Sequence, residues 1–203
     1  MLKYVPSSLL VIAIVLGIAP PCENRLRGEI AVLPKACDQR VIRAVEKSRK
    51  WANDEQILRM VNQAEKKYGS HIKEASRRYY ACPTDIKAIA IVESLIDEGA
   101  RSGEGAIGLM GVKRRTGRDM GFEDVEHPVN NLHAGTKYYK TLLRRFKDRE
   151  LALAAYNLGP GEVENRLSRG FDPETMDYIW KIRRVVQIID RSEPEQQPGR
   201  EWR

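Results

Sequence analysis

The sequence predicts a mainly α protein, on three observations. Between Asp38 and Ile189 successive stretches carry apolar residues every three or four positions, the period of a helix that buries one face. No alternating apolar–polar run is long enough to predict a sheet. Gly, Pro and Asn fall between the periodic stretches, where helices stop and start. At 203 residues the chain is sized for one domain with extensions, and such a domain buries enough surface to fold without staples.

The first residues read as targeting, not fold. Lys3 supplies a small positive start, and Leu9 to Ala19 is an apolar run of signal-peptide length. It is shorter than the about 20 residues a comfortable membrane span needs. Pro20 and Pro21 break a helix there. Export is the expectation. Cys22 follows at a position resembling a lipoprotein acceptor cysteine, although Pro20-Pro21 replaces the small residues usual before one. A lipid anchor, an uncleaved anchor and a cleaved signal all stay open.

Residues 23–37 look irregular, with Pro34 and mixed charges. Val41, Ile42 and Val45 then form one helical stripe. Ile57, Leu58, Val61 and Ala64 form a second, punctuated by Gly69, and Ile72, Ala75 and Tyr79 share a face of a further helical stretch. Pro83 opens a helix at a place where its missing N–H costs nothing, and the pattern runs to about Leu95. Ile86, Ile89, Ala90 and Glu93 share one stripe of that helix, and Ala88, Val92 and Leu95 a second. A helix apolar on most sides is central and buried. Asn131 caps the next helix, along which Leu132, Gly135, Tyr139, Leu142 and Phe146 recur. Glu150 to Asn157 is a short alanine-rich helix stopped by Gly159-Pro160-Gly161. Glu162 to Arg169 follows, with Gly170 as its cap. Asp172-Pro173 begins the last helix, with Met176, Ile179, Ile182, Val186 and Ile189 inward. Ser192 to Arg203 reads as a disordered tail.

Net charge is +7 and the isoelectric point about 9.4, which suits an acidic polymer or an anionic surface. For charge alone, a merely solvated basic surface with no specific ligand is the favoured reading. No run of five like charges and no nucleic-acid motif occurs, so nucleic acid is not an expected partner. Of three cysteines, Cys37 and Cys82 remain as a candidate disulfide if Cys22 is removed or lipidated; two separate thiols are the alternative. Without a Cys-x-x-Cys pair a structural zinc site has no support.

One residue breaks the stability logic. Glu93 ends the apolar run Ala88 to Val92, and the glycine-rich turn Gly103 to Met110 follows closely. Burying a charged acid costs free energy unless it is paired or held neutral. Desolvation raises its pKa, and a carboxylic acid still neutral near pH 7 can protonate a leaving group. The plain alternative is a buried acid paired to an arginine. Gly103, Gly105 and Gly108 spell GxGxxG, but a dinucleotide site needs a preceding strand, and here a helix precedes. A turn that lets backbone approach closely is the better reading. Alone, Tyr156 would read as core and Asn157 as a helix-ending residue.

Six segments occur in register. They are Glu93-Ser94; Ser102, nine residues after the acid; Gly105-Ala-Ile-Gly-Leu-Met110; Asn131 with Gly135; Ala152 to Gly161, which contains Tyr156-Asn157; and Glu174-Thr175 with Tyr178. Together, over roughly residues 68–190, they resemble the catalytic domain of the soluble-type lytic transglycosylases, a lysozyme-like family that cuts peptidoglycan. The resemblance implies a lysozyme-like fold and a catalytic domain over residues 66–191; the patterns outside it divide the rest into residues 1–22, a signal peptide or anchor, 23–65, a linker and N-terminal helical extension, and 192–203, a tail. It also implies non-hydrolytic cleavage of the β-1,4 bond between N-acetylmuramic acid and N-acetylglucosamine, leaving 1,6-anhydro ends, with no metal or organic cofactor.

By the same resemblance Glu93 is the catalytic acid, and Ser102, Gly108, Leu109, Met110, Tyr156, Asn157 and Tyr178 form the substrate site. Ser102 would meet the acetamide or peptide-stem side, Met110 would pack on the sugar face, Tyr156 and Asn157 would line the cleft, and Tyr178 would orient Glu93. One position departs: the family usually has Gln after Leu-Met, where this chain has Gly111. Expected partners are glycan strands, a membrane tether through the N-terminus and an envelope-spanning machinery; the expected location is the periplasm or cell envelope. Two rivals are a goose-type-lysozyme-like hydrolase on the same fold, and a wall-binding module whose cleft no longer turns over.

Overall fold

Asp38 accepts a hydrogen bond from the Arg40 N–H at 2.8 Å and so caps α1, Gln39–Trp51. It is the first residue placed by the computed structural model, which describes residues 38–192. The apolar leader, Cys22, Cys37 and the tail beyond Ser192 lie outside the described residues. Cys82 is a disulfide cysteine, and the pairing expected with Cys37 involves a residue outside that range.

Asn53 and Gln56 form a reciprocal capping box that starts α2, Asp54–Tyr79. Gly69 does not interrupt it. The Glu65 carboxylate lies over this glycine, only 2.7 Å from where a Cβ would sit, and bonds Lys87 Nζ at 2.7 Å and Lys73 Nζ at 2.9 Å. The two helical stretches expected around Gly69 are therefore one helix, and the expected boundary between residues 65 and 66 falls inside it. Tyr80, left-handed at φ 54°, ends α2.

Pro83 opens α3, Pro83–Ser94, and the helix is buried as its pattern predicts. Its second stripe ends differently: Leu95 is the left-handed cap and is exposed. A two-residue hairpin follows, β1 (Ala106–Ile107) antiparallel to β2 (Val112–Lys113). This hairpin and the short α4, Arg114–Asp119, have no periodic signal in the sequence, because each is shorter than one period-based window. Then come α5 (Pro128–Phe146), α6 (Arg149–Leu158) and α7 (Pro160–Leu167). A 3-10 turn, Pro173–Thr175, precedes α8, Asp177–Ser192.

Packing makes α3 the axis, with α2 and α8 against it and α5 joining α2 to α6. Ile86, Ile89, Leu109, Leu132, Leu153 and Ile179 are among the residues wholly removed from solvent. A polar knot crosses this core: Asp85 accepts from Arg149 Nη2 at 2.6 Å and from the Tyr139 hydroxyl at 2.9 Å. Buried charges need such partners. α1 packs on α8, so the first described helix is part of the same packed body. Arg184 of α8 donates to the carbonyls of Ser48 (2.8 Å) and Ala52 (2.9 Å) and to Asp54 Oδ1 (2.7 Å), closing the end of α1 and holding the start of α2. No helix among the described residues is long and apolar enough to cross a membrane.

Candidate active site

Glu93 sits in the last turn of α3, where the chain reverses sharply. Leu95 and Ile96 both take left-handed φ, 56° and 66°, a conformation that disfavours side chains and most of all β-branched ones. Ser94 holds the reversal: its hydroxyl donates to Ala90 O at 3.0 Å and accepts the Ile96 N–H at 3.1 Å. The carboxyl of Glu93 is thereby aimed from the end of a buried helix toward the glycine turn.

That turn is fixed from four directions. Ser102 Oγ accepts the N–H groups of Ala106 (3.1 Å) and Glu104 (3.3 Å), leaving its own proton to donate. Asn131, fully buried, accepts the Met110 N–H and donates to Ile107 O and Val125 O, each at 2.8 Å. The Tyr156 hydroxyl donates to Met110 O at 2.7 Å. Gly108 and Gly111 take φ of 69° and 58°, and the Gly111 N–H donates to Gly108 O.

Two expectations change here. Asn131 is not a helix cap, because α5 starts at Pro128 after His127; its amide ties the turn instead. Met110 does not present its side chain to a sugar face, because that side chain is fully buried against Gly135 and Thr136; Leu109 is likewise core. Both contribute to the turn through backbone and packing.

Tyr178, near the start of α8, donates its hydroxyl to Glu93 Oε1 at 2.9 Å. Burial holds the Tyr178 phenol, like that of Tyr156, well above its usual pKa, so both remain donors. Burial also dominates Glu93, raising its carboxyl to about 7 against the weaker opposing pull of the Tyr178 hydrogen bond and the Lys181 charge. The group is half-buried: most of it faces protein, and one edge meets a cleft of about 110 Å³. Glu93, Ala100, Arg101, Ser102, Ala106, Gly108 and Gly111 line that cleft.

Nearby carboxylates differ in kind. Glu104 pairs with Lys113, Glu98 with Lys67, and Glu126 with Arg101 and Arg114. Side-chain hydrogen bonds hold Glu98 and Glu126 below the usual carboxyl range. Asp97 and Glu98 are exposed. Glu93 is the one carboxyl lining the cleft among the described residues, and the arrangement suits a single group that gives and retakes a proton.

The structure brings Glu93, Ser102, Gly108 and Tyr178 together. Tyr156 stands behind the turn with its hydroxyl on Met110, and Asn157 is exposed at the end of α6. The sequence reading missed Ala100, Arg101 and Ala106 as lining residues, and nothing in their residue types marks them. No group of three or more His, Cys, Asp or Glu that could hold a metal ion occurs among the described residues.

Known proteins resemble this chain in sequence and fold. The chain is 38% identical over 119 residues to membrane-bound lytic murein transglycosylase F of Cellvibrio japonicus, covering 53% of this chain and 23% of that protein. It is 25% identical over 118 residues to the transglycosylase of Enterobacteria phage PRD1, covering 58% of this chain and 42% of that one. It thus spans about a quarter of the C. japonicus protein and under half of the phage one. Among solved structures, lytic transglycosylase Slt from Pseudomonas aeruginosa, an inactive mutant, superposes with a TM-score of 0.56 at 25% identity, over 67% of this chain and 26% of that one. The 70 kDa soluble lytic transglycosylase of Escherichia coli gives 0.56 at 22% identity over 62% of this chain and 24% of that one, a likeness of fold. The family model described as the transglycosylase SLT domain matches residues 70–179, more than half of the chain, and the protein belongs to that family.

Proposed function

We propose that the protein is a peptidoglycan lytic transglycosylase with Glu93 as its sole catalytic acid and base. The observation that carries the reading is a lone cleft carboxyl held near pKa 7 by burial and oriented by Tyr178. Neutral Glu93 protonates the glycosidic oxygen between N-acetylmuramic acid and N-acetylglucosamine, and the bond to C1 breaks. The carboxylate then takes the proton of the muramic acid C6 hydroxyl, whose oxygen attacks C1 and closes the 1,6-anhydro ring. Atoms balance without water. Glycosidases that hydrolyse normally bring two carboxyls to the bond, so the single cleft carboxyl favours transglycosylation over the lysozyme-like alternative. Ser102 keeps a hydroxyl proton for the substrate acetamide or peptide-stem side, and no cofactor takes part.

The partner is the glycan strand. The relatives' name, membrane-bound, supports an envelope location, and the apolar segment 9–19 supports export or a tether. We assign residues 66–191 to catalysis, with α1 and the start of α2 as a docked extension. Digestion of purified peptidoglycan, read by mass spectrometry, tests the assignment. Products lighter by one water than lysozyme products are expected; reducing ends would make the protein a hydrolase, and binding without products a wall-docking module.

A further inference from the structure

Gly111 stands where the family usually has Gln, and by residue type alone it offers no side chain to a substrate. The geometry points to another role: we propose that Gly111 is a positioning residue whose bare α-carbon seats Glu93 Oε2, making Oε2 the oxygen that delivers the proton. The proposal rests on the transglycosylase reading of the same site.

Two observations fix the roles of the two oxygens. The Tyr178 hydroxyl donates to Oε1, so Oε1 is an acceptor, and the proton of the neutral acid resides on Oε2. Oε2 in turn lies against Gly111: a Cβ built there would be 2.7 Å from Oε2, 3.3 Å from Cδ and 3.5 Å from Cβ of Glu93. No real Cβ approaches an oxygen so closely, so any side chain at 111 requires something to move.

What moves is decided by stiffness. The turn is held by Asn131 on Met110 N, by Tyr156 on Met110 O and by the bond from Gly111 N–H to Gly108 O. The Glu93 carboxyl is the free end of a side chain with open cleft beside it. A side chain at 111 therefore swings the carboxyl off its seat and away from Tyr178 while leaving the fold intact. The ionisable groups facing Glu93 are Tyr178 and Lys181 from α8, Tyr156 from α6 and Arg101 on the lining of the cleft, and the substitution alters none of them.

The test uses Gly111→Ala and Gly111→Gln beside Gly170→Ala. Gly170 has a φ of 76° and nothing within 4 Å of its would-be Cβ, so it measures the backbone cost alone. Two readouts are taken: infrared titration of the Glu93 carboxyl, which needs no turnover, and kcat and KM against pH. With Gly111→Ala the carboxyl, pushed toward solvent, should titrate about one pH unit lower, because relief of burial, the largest cause of its raised pKa, outweighs the lost Tyr178 bond, which had favoured the carboxylate. Its kcat should fall roughly tenfold or more with KM unchanged, and its Tm should fall no further than that of Gly170→Ala. Gly111→Gln should behave likewise although Gln is the family's usual residue. Wild-type titration and kcat in Gly111→Ala, a rise in kcat in Gly111→Gln, or a Tm loss well beyond the control would each overturn the proposal. If the wild type makes no anhydro products the transglycosylase reading fails, and the infrared titration still decides the seating.

Discussion

Replacing one oxygen of Glu93 by an amide separates its chemistry from its packing. Glu93→Gln keeps the size of the side chain and an acceptor for Tyr178, and should lose cleavage by roughly a thousandfold, the range of a lost general acid. Wild-type turnover in that variant would remove Glu93 from the mechanism. The same substitution has a stability signature. Burial raises the carboxyl from 4.5 to about 7, so folding favours the neutral form. That contribution is full below 4.5 and is lost as the pH rises through about 7, leaving an ionised buried group that destabilises the fold by about 3 kcal/mol at most. Glu93→Gln should melt above the wild type at pH 8 and with it at pH 4; coincident melting at both pH values contradicts the buried acid. Activity should fall on the alkaline side near pH 7. In Tyr178→Phe that limb should move upward, because the lost hydrogen bond had favoured the carboxylate, with kcat down about tenfold from misorientation; an unmoved limb argues against the contact.

Among the elements, α5 carries the least obvious part of the site. Asn131→Ala removes three hydrogen bonds of 2.8 Å from a site closed to solvent, those to Met110 N–H, Ile107 O and Val125 O. Roughly 3 kcal/mol of stability should go with them, and a thermal melt within experimental error of the wild type would refute that account. This contact also marks what sequence can reveal. Glu93 could be found because an acid at a helical apolar position violates a local pattern within seven residues. The role of Asn131 could not, because its partners lie up to 24 positions away and a polar residue near a helix start looks like a cap. Met110 misled for a related reason: periodicity shows that a turn approaches the acid but not which of its atoms face the cleft. The hairpin and α4 were invisible since neither spans a full pattern, and Gly69 looked like a break because Glu65, which covers it, is recognisable only once Lys87 is in place.

Across the whole molecule, the N-terminal helix and the acid are joined through α8, which holds Glu93 with Tyr178 and α1 with Arg184. Trp51 of α1 also lies under Lys181, 5.7 Å from the ring centre. Arg184→Ala should therefore free α1 first: its amides should exchange faster by a factor corresponding to about 2 kcal/mol, while those of α3 stay protected and turnover persists. Equal exchange in α1 would mean that packing alone holds it. The position of that guanidinium has a mechanical consequence. A pull applied at Asp38 loads α1 along its length, and the three Arg184 bonds at its far end stand between that load and α2. Under tension α1 should peel away as a separate early event at low force, and the catalytic helices should yield later and together.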